Sequence, residues 1–82
     1  MMAAGNADRF KSVFSAILGV RPEEVADHLT PDHVDSWDSL NQINLIGALE
    51  QEFGVTLAAQ NLGDYMTVAS LKKLLVEHGV EL

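Results

Sequence analysis

Apolar residues recur at helical spacing along most of this chain, and no segment alternates between apolar and polar residues as a strand would. A helix places residues three and four positions apart on one face, so each such run predicts an amphipathic helix. Helices that bury one face must pack against each other. The sequence therefore predicts an all-α fold, a small up-and-down helical bundle of three main helices and one short helix.

The length and composition of the chain limit what it can do. Its 82 residues suit one core, so we expect 1-82 to be a single domain with a frayed start over 1-6 and natural-looking ends. The absence of cysteine excludes disulfides and cysteine nucleophiles, and no metal-ligand pattern is present. No apolar run is long enough to span a bilayer, and the start does not resemble a signal peptide. We expect a cytoplasmic monomer.

The charge of the chain predicts its kind of partner. Five Lys and Arg against twelve Asp and Glu leave a formal net charge of −7. Such a charge repels nucleic acid and anionic membranes and attracts basic protein surfaces. The alternative is that the charge serves solubility alone.

The first helix and the long connection after it are predicted from their apolar spacing and turn residues. Asn6 or Asp8 is expected to cap the helix and Gly19 to end it. Pro22 should open a short helical turn, and the residues from Thr30 onward should form an extended loop ending near Trp37. The apolar face of this helix consists of Phe10, Val13, Phe14, Ile17 and Leu18.

The second helix is predicted over 39-53, ending at Gly54. The core side is predicted to hold Ile43, Leu45, Ile46, Leu49 and Phe53, and the opposite side Leu40, Asn44, Gly47 and Gln51. Leu40 is thus a large aliphatic residue on the outer side, which indicates contact with a partner. The alternative is that Leu40 packs under the preceding loop.

The last third of the chain is predicted to hold the minor helix and the final main helix. A short helix is expected around 59-63, and the last helix should begin after Thr67 as its cap and end at Gly79. Its buried face is predicted to consist of Val68, Leu71, Leu74 and Leu75.

Ser39 is the candidate functional residue, because it lies between Asp38 and Leu40 where the loop meets the second helix. No general base or oxyanion loop accompanies it, and all three histidines (His28, His33 and His78) are expected at the surface. A serine hydrolase is therefore disfavoured, and the hydroxyl is better explained as a place where another enzyme attaches a group. The free N–H groups and dipole of a helix start would suit a phosphate. The alternative is an ordinary helix cap.

Three segments carry a resemblance to a known family: ILGVRPEEV at 17-25, DSL at 38-40 and LEQEFGV at 49-55. In this order they resemble the acyl carrier proteins over nearly the whole chain. The resemblance implies that Ser39 carries 4'-phosphopantetheine from coenzyme A, whose thiol bears an acyl group as a thioester. It also implies a non-catalytic protein whose partners are a phosphopantetheinyl transferase, an acyl-loading ligase or transferase, and acyl-processing enzymes with basic surfaces.

Roles are also expected for residues around the serine. Partner contact is expected at Asp38, Leu40, Asn44, Gly47 and Glu50. Asp38 should also cap the helix and is expected to meet the transferase, with that enzyme's magnesium as one route of contact. Trp37 is expected to anchor the loop, with contact to the arm or cargo as the alternative.

Some positions depart from the carriers of primary fatty-acid synthesis, which resemble one another in an acid-rich second helix with a bulky residue where this chain has Gly47. Here Asn41, Asn44 and Gln51 are neutral. These differences indicate a specialised pathway of fatty-acid, lipid or polyketide-type biosynthesis. A peptidyl or aminoacyl carrier and an unmodified helical adaptor stay open as alternatives, and the sequence does not identify the cargo.

Overall fold

The computed structural model of the protein describes residues 5–57 and 65–82. Three α-helices occur in these ranges: α1 (Asn6–Leu18), α2 (Ser39–Phe53) and α3 (Val68–Glu77). Two short 3₁₀ helices, Pro22–Glu24 and Pro31–His33, lie between α1 and α2. The described ranges contain no strand, so the predicted all-α bundle is confirmed. The short helix predicted around 59-63 lies outside the described residues.

Helix α1 begins without the predicted side-chain cap and ends at the predicted glycine. Gly5 is the N-cap residue and makes no side-chain cap bond, so the prediction of Asn6 or Asp8 as the cap is wrong. The Asn6 side chain is used elsewhere, because its Nδ2 donates to the main-chain oxygen of Glu81 at 2.8 Å. Asp8 lies within the first turn, where its charge favours the helix dipole. Gly19 ends α1 as predicted, with a left-handed φ of 73°.

Both ends of α2 and the start of α3 follow the predicted caps, whereas α3 ends at Glu77 with His78 and not Gly79 as its C-cap. The Asp38 side chain accepts from the Asn41 N–H at 2.9 Å, and Gly54 ends α2 with φ 64°. At α3, Thr67 and Ser70 form a reciprocal capping box. Because these caps satisfy N–H groups that a helix start leaves free, they define where each helix begins.

Both α2 and α3 run opposite to α1. Arg9, near the start of α1, bonds Glu52 at the end of α2. Leu18, at the end of α1, accepts a bond from Ser36, just before α2. Asn6 meets Glu81 beyond the end of α3. Helices α2 and α3 therefore run in the same direction.

The core is built from one face of each helix together with residues of the α1–α2 connection. The prediction that Ile43 faces the core is wrong, since it is 54% exposed. At 100° per residue it lies about 100° from Gln42, which is 2% exposed and occupies the centre of the buried face. Side chains that are completely buried include Phe10, Phe14, Leu45, Leu49, Val68, Leu71 and Leu75.

The α1–α2 connection is packed against the bundle along its length. Val25, Leu29 and Val34 are buried at regular intervals in it. The segment predicted as an extended loop contains the second 3₁₀ helix, because the Thr30 hydroxyl caps it by accepting from the Asp32 N–H at 3.2 Å. This connection therefore delivers the chain to the start of α2 in a defined path.

Candidate functional site

Ser39 is the first residue of α2 and is exposed. Its hydroxyl has no hydrogen-bond partner within the described part of the chain. Asp38 supplies the first acceptors of the helix, since its side chain bonds the Asn41 N–H and its carbonyl accepts from Gln42 at 2.8 Å. The N–H groups of Ser39 and Leu40 are left without an acceptor among the described residues.

This arrangement fits a phosphodiester on the Ser39 oxygen. The two free N–H groups and the positive end of the α2 dipole favour an anion at this position. The Asp38 carboxylate opposes it by charge, and Asp35 is a second exposed acid on the approach. The Asp38 side chain caps α2 and so defines where the helix begins. The same carboxylate repels a phosphate on Ser39. The exposed hydroxyl is accessible to a second protein.

Trp37 anchors the chain two residues before Ser39. Its side chain is 2% exposed and meets the Phe14 ring edge-on, with ring centroids 5.4 Å apart. The indole N–H donates to Gln42 Oε1 at 2.7 Å. An edge-to-face ring contact and a buried hydrogen bond together fix the ring position.

Two further side chains hold the approach to Ser39, and neither was predicted to do so. The Ser36 hydroxyl donates to the Leu18 carbonyl at 2.7 Å, which satisfies an oxygen at the end of α1. Asn41 Nδ2 donates to the Ser36 carbonyl at 2.7 Å. Asn44, predicted to face partners, is exposed and donates to Asn41 Oδ1 at 3.1 Å.

Gln42 is a buried polar residue whose position was not predicted. Besides accepting from Trp37, it donates through Nε2 to the Tyr65 carbonyl at 2.9 Å. The available signal was spacing, because Gln42 precedes Leu45, Ile46 and Leu49 by three, four and seven residues. Only its polarity argued against a core position.

The residues predicted for partner contact do not share one environment. Leu40 is 68% exposed, and the neighbouring Ile43 forms an apolar patch with it on the outer side of α2. Gly47 is half-buried, and a Cβ there would meet nothing within 4 Å. Glu50 turns inward, since its Oε2 accepts from the Leu57 N–H at 2.8 Å.

The three histidines lie at the surface in the described part of the chain. His28 and His33 are exposed and lie edge-on with ring centroids 6.1 Å apart. His78 is exposed, and its Nδ1 lies 2.8 Å from the Leu74 carbonyl. Residues 5–57 and 65–82 contain no cluster of His, Cys, Asp or Glu that could hold a metal ion. Across the same residues, no helix is long and apolar enough to cross a membrane.

The described residues form a small helical bundle with an exposed serine at the start of its second helix. A family model described as the phosphopantetheine attachment site matches residues 8–75. The chain belongs to this phosphopantetheine-binding family. It is a carrier whose prosthetic group is covalent 4'-phosphopantetheine, and domains of this family are non-catalytic substrates of phosphopantetheinyl transferases.

Proposed function

We propose that this protein is an acyl carrier protein whose phosphopantetheine is attached to Ser39. The observation that supports this most is the exposed Ser39 hydroxyl, without a partner in the described residues, at the start of α2 in a chain of this family. It would carry acyl intermediates as thioesters in a specialised pathway of fatty-acid, lipid or polyketide-type biosynthesis. We place the protein in the cytoplasm and treat it as a carrier that catalyses nothing itself.

In the attachment step, the Ser39 oxygen bonds to the phosphorus of coenzyme A that carries the pantetheine. The phosphoanhydride breaks, adenosine 3',5'-bisphosphate leaves, and the hydroxyl proton passes to a base of the transferase. The N–H groups of Ser39 and Leu40 would hold the new phosphodiester. When bound, the arm supplies a thiol that holds the acyl group as a thioester.

The outer side of α2 is the proposed docking surface for the transferase, the loading ligase or transferase, and the acyl-processing enzymes. Leu40 and Ile43 supply apolar contact area. Asp35 and Asp38 lie exposed on the approach to this patch and attract basic partner surfaces. We leave Glu50 out of this surface, because its carboxylate bonds Leu57.

Three of the five cationic side chains are paired within the domain. Arg9 bonds Glu52 at 2.8 Å, Arg21 bonds Glu24 at 2.7 Å, and Lys72 bonds Asp27 at 2.7 Å. The formal net charge of −7 already includes these cations, and the paired ones are less available to a partner. This supports fast, weak encounters with basic enzymes, which suffice when a tether supplies the effective concentration.

The neutral outer side of α2 supports a specialised pathway. Asn41 and Asn44 bond each other at 3.1 Å, so these positions offer amides rather than carboxylates to a partner. A partner that recognises carriers by a row of helix acids would find no matching charge there. Enzymes with an apolar cleft that meets Leu40 are favoured instead.

The test is incubation with coenzyme A, Mg²⁺ and a broad-specificity phosphopantetheinyl transferase, followed by intact-mass measurement. We expect the mass of one phosphopantetheine on the wild type and none on Ser39→Ala, while Ser36→Ala should still be modified. No added mass with a panel of transferases, or modification of Ser39→Ala, would refute the attachment site. Mass analysis of cargo on protein isolated from its source separates acyl from aminoacyl use.

A further inference from the structure

We propose that Gln42 is a positioning residue that sets how Ser39 is presented to the modifying enzyme. The proposal rests on the proposed function, in that Ser39 is taken as the modified residue. Gln42 lies one helical turn beyond Ser39, on the buried rather than the exposed side of α2. It does not touch the reacting oxygen and acts through Trp37.

The Gln42 side chain joins two segments of chain that flank the start of α2. On one side its Oε1 accepts from the Trp37 indole N–H at 2.7 Å. On the other its Nε2 donates to the Tyr65 carbonyl at 2.9 Å. The amide therefore ties the loop before Ser39 to the segment that precedes α3.

The two bonds require a neutral amide in one orientation. An indole N–H can only donate and a main-chain carbonyl can only accept, so the oxygen must face Trp37 and the nitrogen must face Tyr65. A carboxylate could accept from Trp37 but could not donate to Tyr65. An aliphatic residue could do neither and would leave both partner groups without this bond.

The position of Trp37 determines the position of the residues that follow it. Asp38 comes next and caps α2, and Ser39 is the first residue of the helix. If Trp37 loses its bond to Gln42, the loop can adopt more than one conformation. The conformation that presents Ser39 to the modifying enzyme is then populated only part of the time. An apparent affinity is reduced by the populated fraction of the competent state, whereas the chemistry after docking is not.

The experiment compares Gln42→Met with the wild type. Methionine has a similar length and fills the same space without hydrogen bonds. Gln51→Met is the matched control, because Gln51 is exposed on the same helix. Trp37→Phe removes the N–H donor and keeps an aromatic ring. Transferase kinetics with saturating coenzyme A give KM and kcat for each carrier variant.

We expect Gln42→Met to raise the transferase KM about three- to tenfold with kcat unchanged, from the loss of a buried hydrogen-bonding partner. Gln51→Met should match the wild type. Trp37→Phe should also raise KM, and the double variant should show little more than Gln42→Met alone, because Gln42→Met already removes the bond to Trp37. A KM equal to the wild type in Gln42→Met, or fully additive changes, overturns the proposal.

Trp37 fluorescence tests the role of Gln42 in the loop without depending on modification of Ser39. Trp37 is the only tryptophan in the chain, so its emission reports the loop directly. We expect a shift in Gln42→Met and none in Gln51→Met. If no transferase modifies the wild type, the proposed attachment fails, and an unshifted emission then refutes the loop role independently. A lower urea midpoint with unchanged KM assigns Gln42 a purely structural role and refutes its positioning role.

Discussion

Arg9 holds the C-terminal end of α2 through Glu52. Its Nε donates to the Glu52 carboxylate at 2.8 Å, and its Nη2 donates to the Glu52 main-chain oxygen. The guanidinium also lies 4.9 Å from the centre of the Phe53 ring. A side chain of α1 thus donates a hydrogen bond to a carbonyl that has no partner within α2, because it lies at the end of that helix.

Replacing Arg9 should therefore destabilise the bundle. We expect Arg9→Met to lower the free energy of unfolding by about 1 kcal/mol, because the carbonyl bond and ring contact add to a partly screened ion pair. Urea denaturation measures the change. Lys73→Met removes the same charge from an exposed side chain of α3, and an equal loss in that variant would contradict the specific role of Arg9.

Substitution by alanine should reduce the stability of the protein at Ser36 but hardly at Ser39. Ser36 donates to Leu18 in a half-buried position, so Ser36→Ala should cost about 1 kcal/mol of stability. Ser39 has no such bond, so Ser39→Ala should change stability by less than about 0.5 kcal/mol. Thermal denaturation of both variants checks this. A large loss in Ser39→Ala would mean that the serine has a structural role.

The cap and the charge of Asp38 can be separated by two variants. Asp38→Ala removes the acceptor for Asn41 and should cost about 1 kcal/mol. Asp38→Asn keeps an acceptor and should cost only a few tenths of a kcal/mol. Urea denaturation of both unmodified variants tests the order. If both lose equally, the charge and not the hydrogen bond is responsible.

Leu40 and Ile43 should matter for docking and little for folding. We expect Leu40→Ala and Ile43→Ala each to lower the transferase kcat/KM about three- to tenfold, as truncated interface residues do. Their stabilities should stay within about 0.5 kcal/mol, because both side chains are exposed. Val76→Ala is the control, since Val76 is 53% exposed on α3. An equal effect of Val76→Ala would argue against a surface on α2.

Asp27 should contribute to stability in a pH-dependent way. Its hydrogen bond and charge interaction with Lys72 lower the pKa of Asp27 below its ordinary value of 3.8. A lowered carboxyl pKa stabilises the fold above the unfolded pKa, and this contribution is lost as the pH falls through the folded pKa. The urea midpoint of Asp27→Asn should thus lie below the wild type at neutral pH and approach it in acid.

Asp32→Asn provides the comparison for that experiment, because Asp32 is exposed and has no ion pair among the described residues. Its midpoint should follow the wild type more closely than that of Asp27→Asn at neutral pH. A constant gap between Asp27→Asn and the wild type down to strongly acidic pH would contradict the ion-pair explanation.

The helix ends that were predicted correctly are those set by local chemistry. Asp38 and Thr67 cap α2 and α3, and Gly19 and Gly54 adopt the left-handed conformation that ends a helix. Each of these depends on the residue itself and its nearest neighbours. The predicted cap of α1 was wrong, because the Asn6 side chain bonds Glu81, which is far away in the sequence.

The errors at the candidate site have the same origin. Ile43 was assigned to the core by its apolarity, but the centre of the buried face is Gln42, whose polar atoms find partners only in the folded chain. Glu50 was predicted to contact partners, and the structure adds a bond from its carboxylate to a main-chain N–H seven residues later. Hydropathy carries no information on such partners.

The bond between Asn6 and Glu81 places both described ends of the chain at one end of the bundle. That end also holds the last turn of α2, which lies about 22 Å along the helix from the first residue of α2. A tag or surface linker at either terminus would therefore leave Ser39 facing away from the support. The protein can be immobilised through its ends for single-molecule or biosensor measurements while the serine stays open to enzymes in solution.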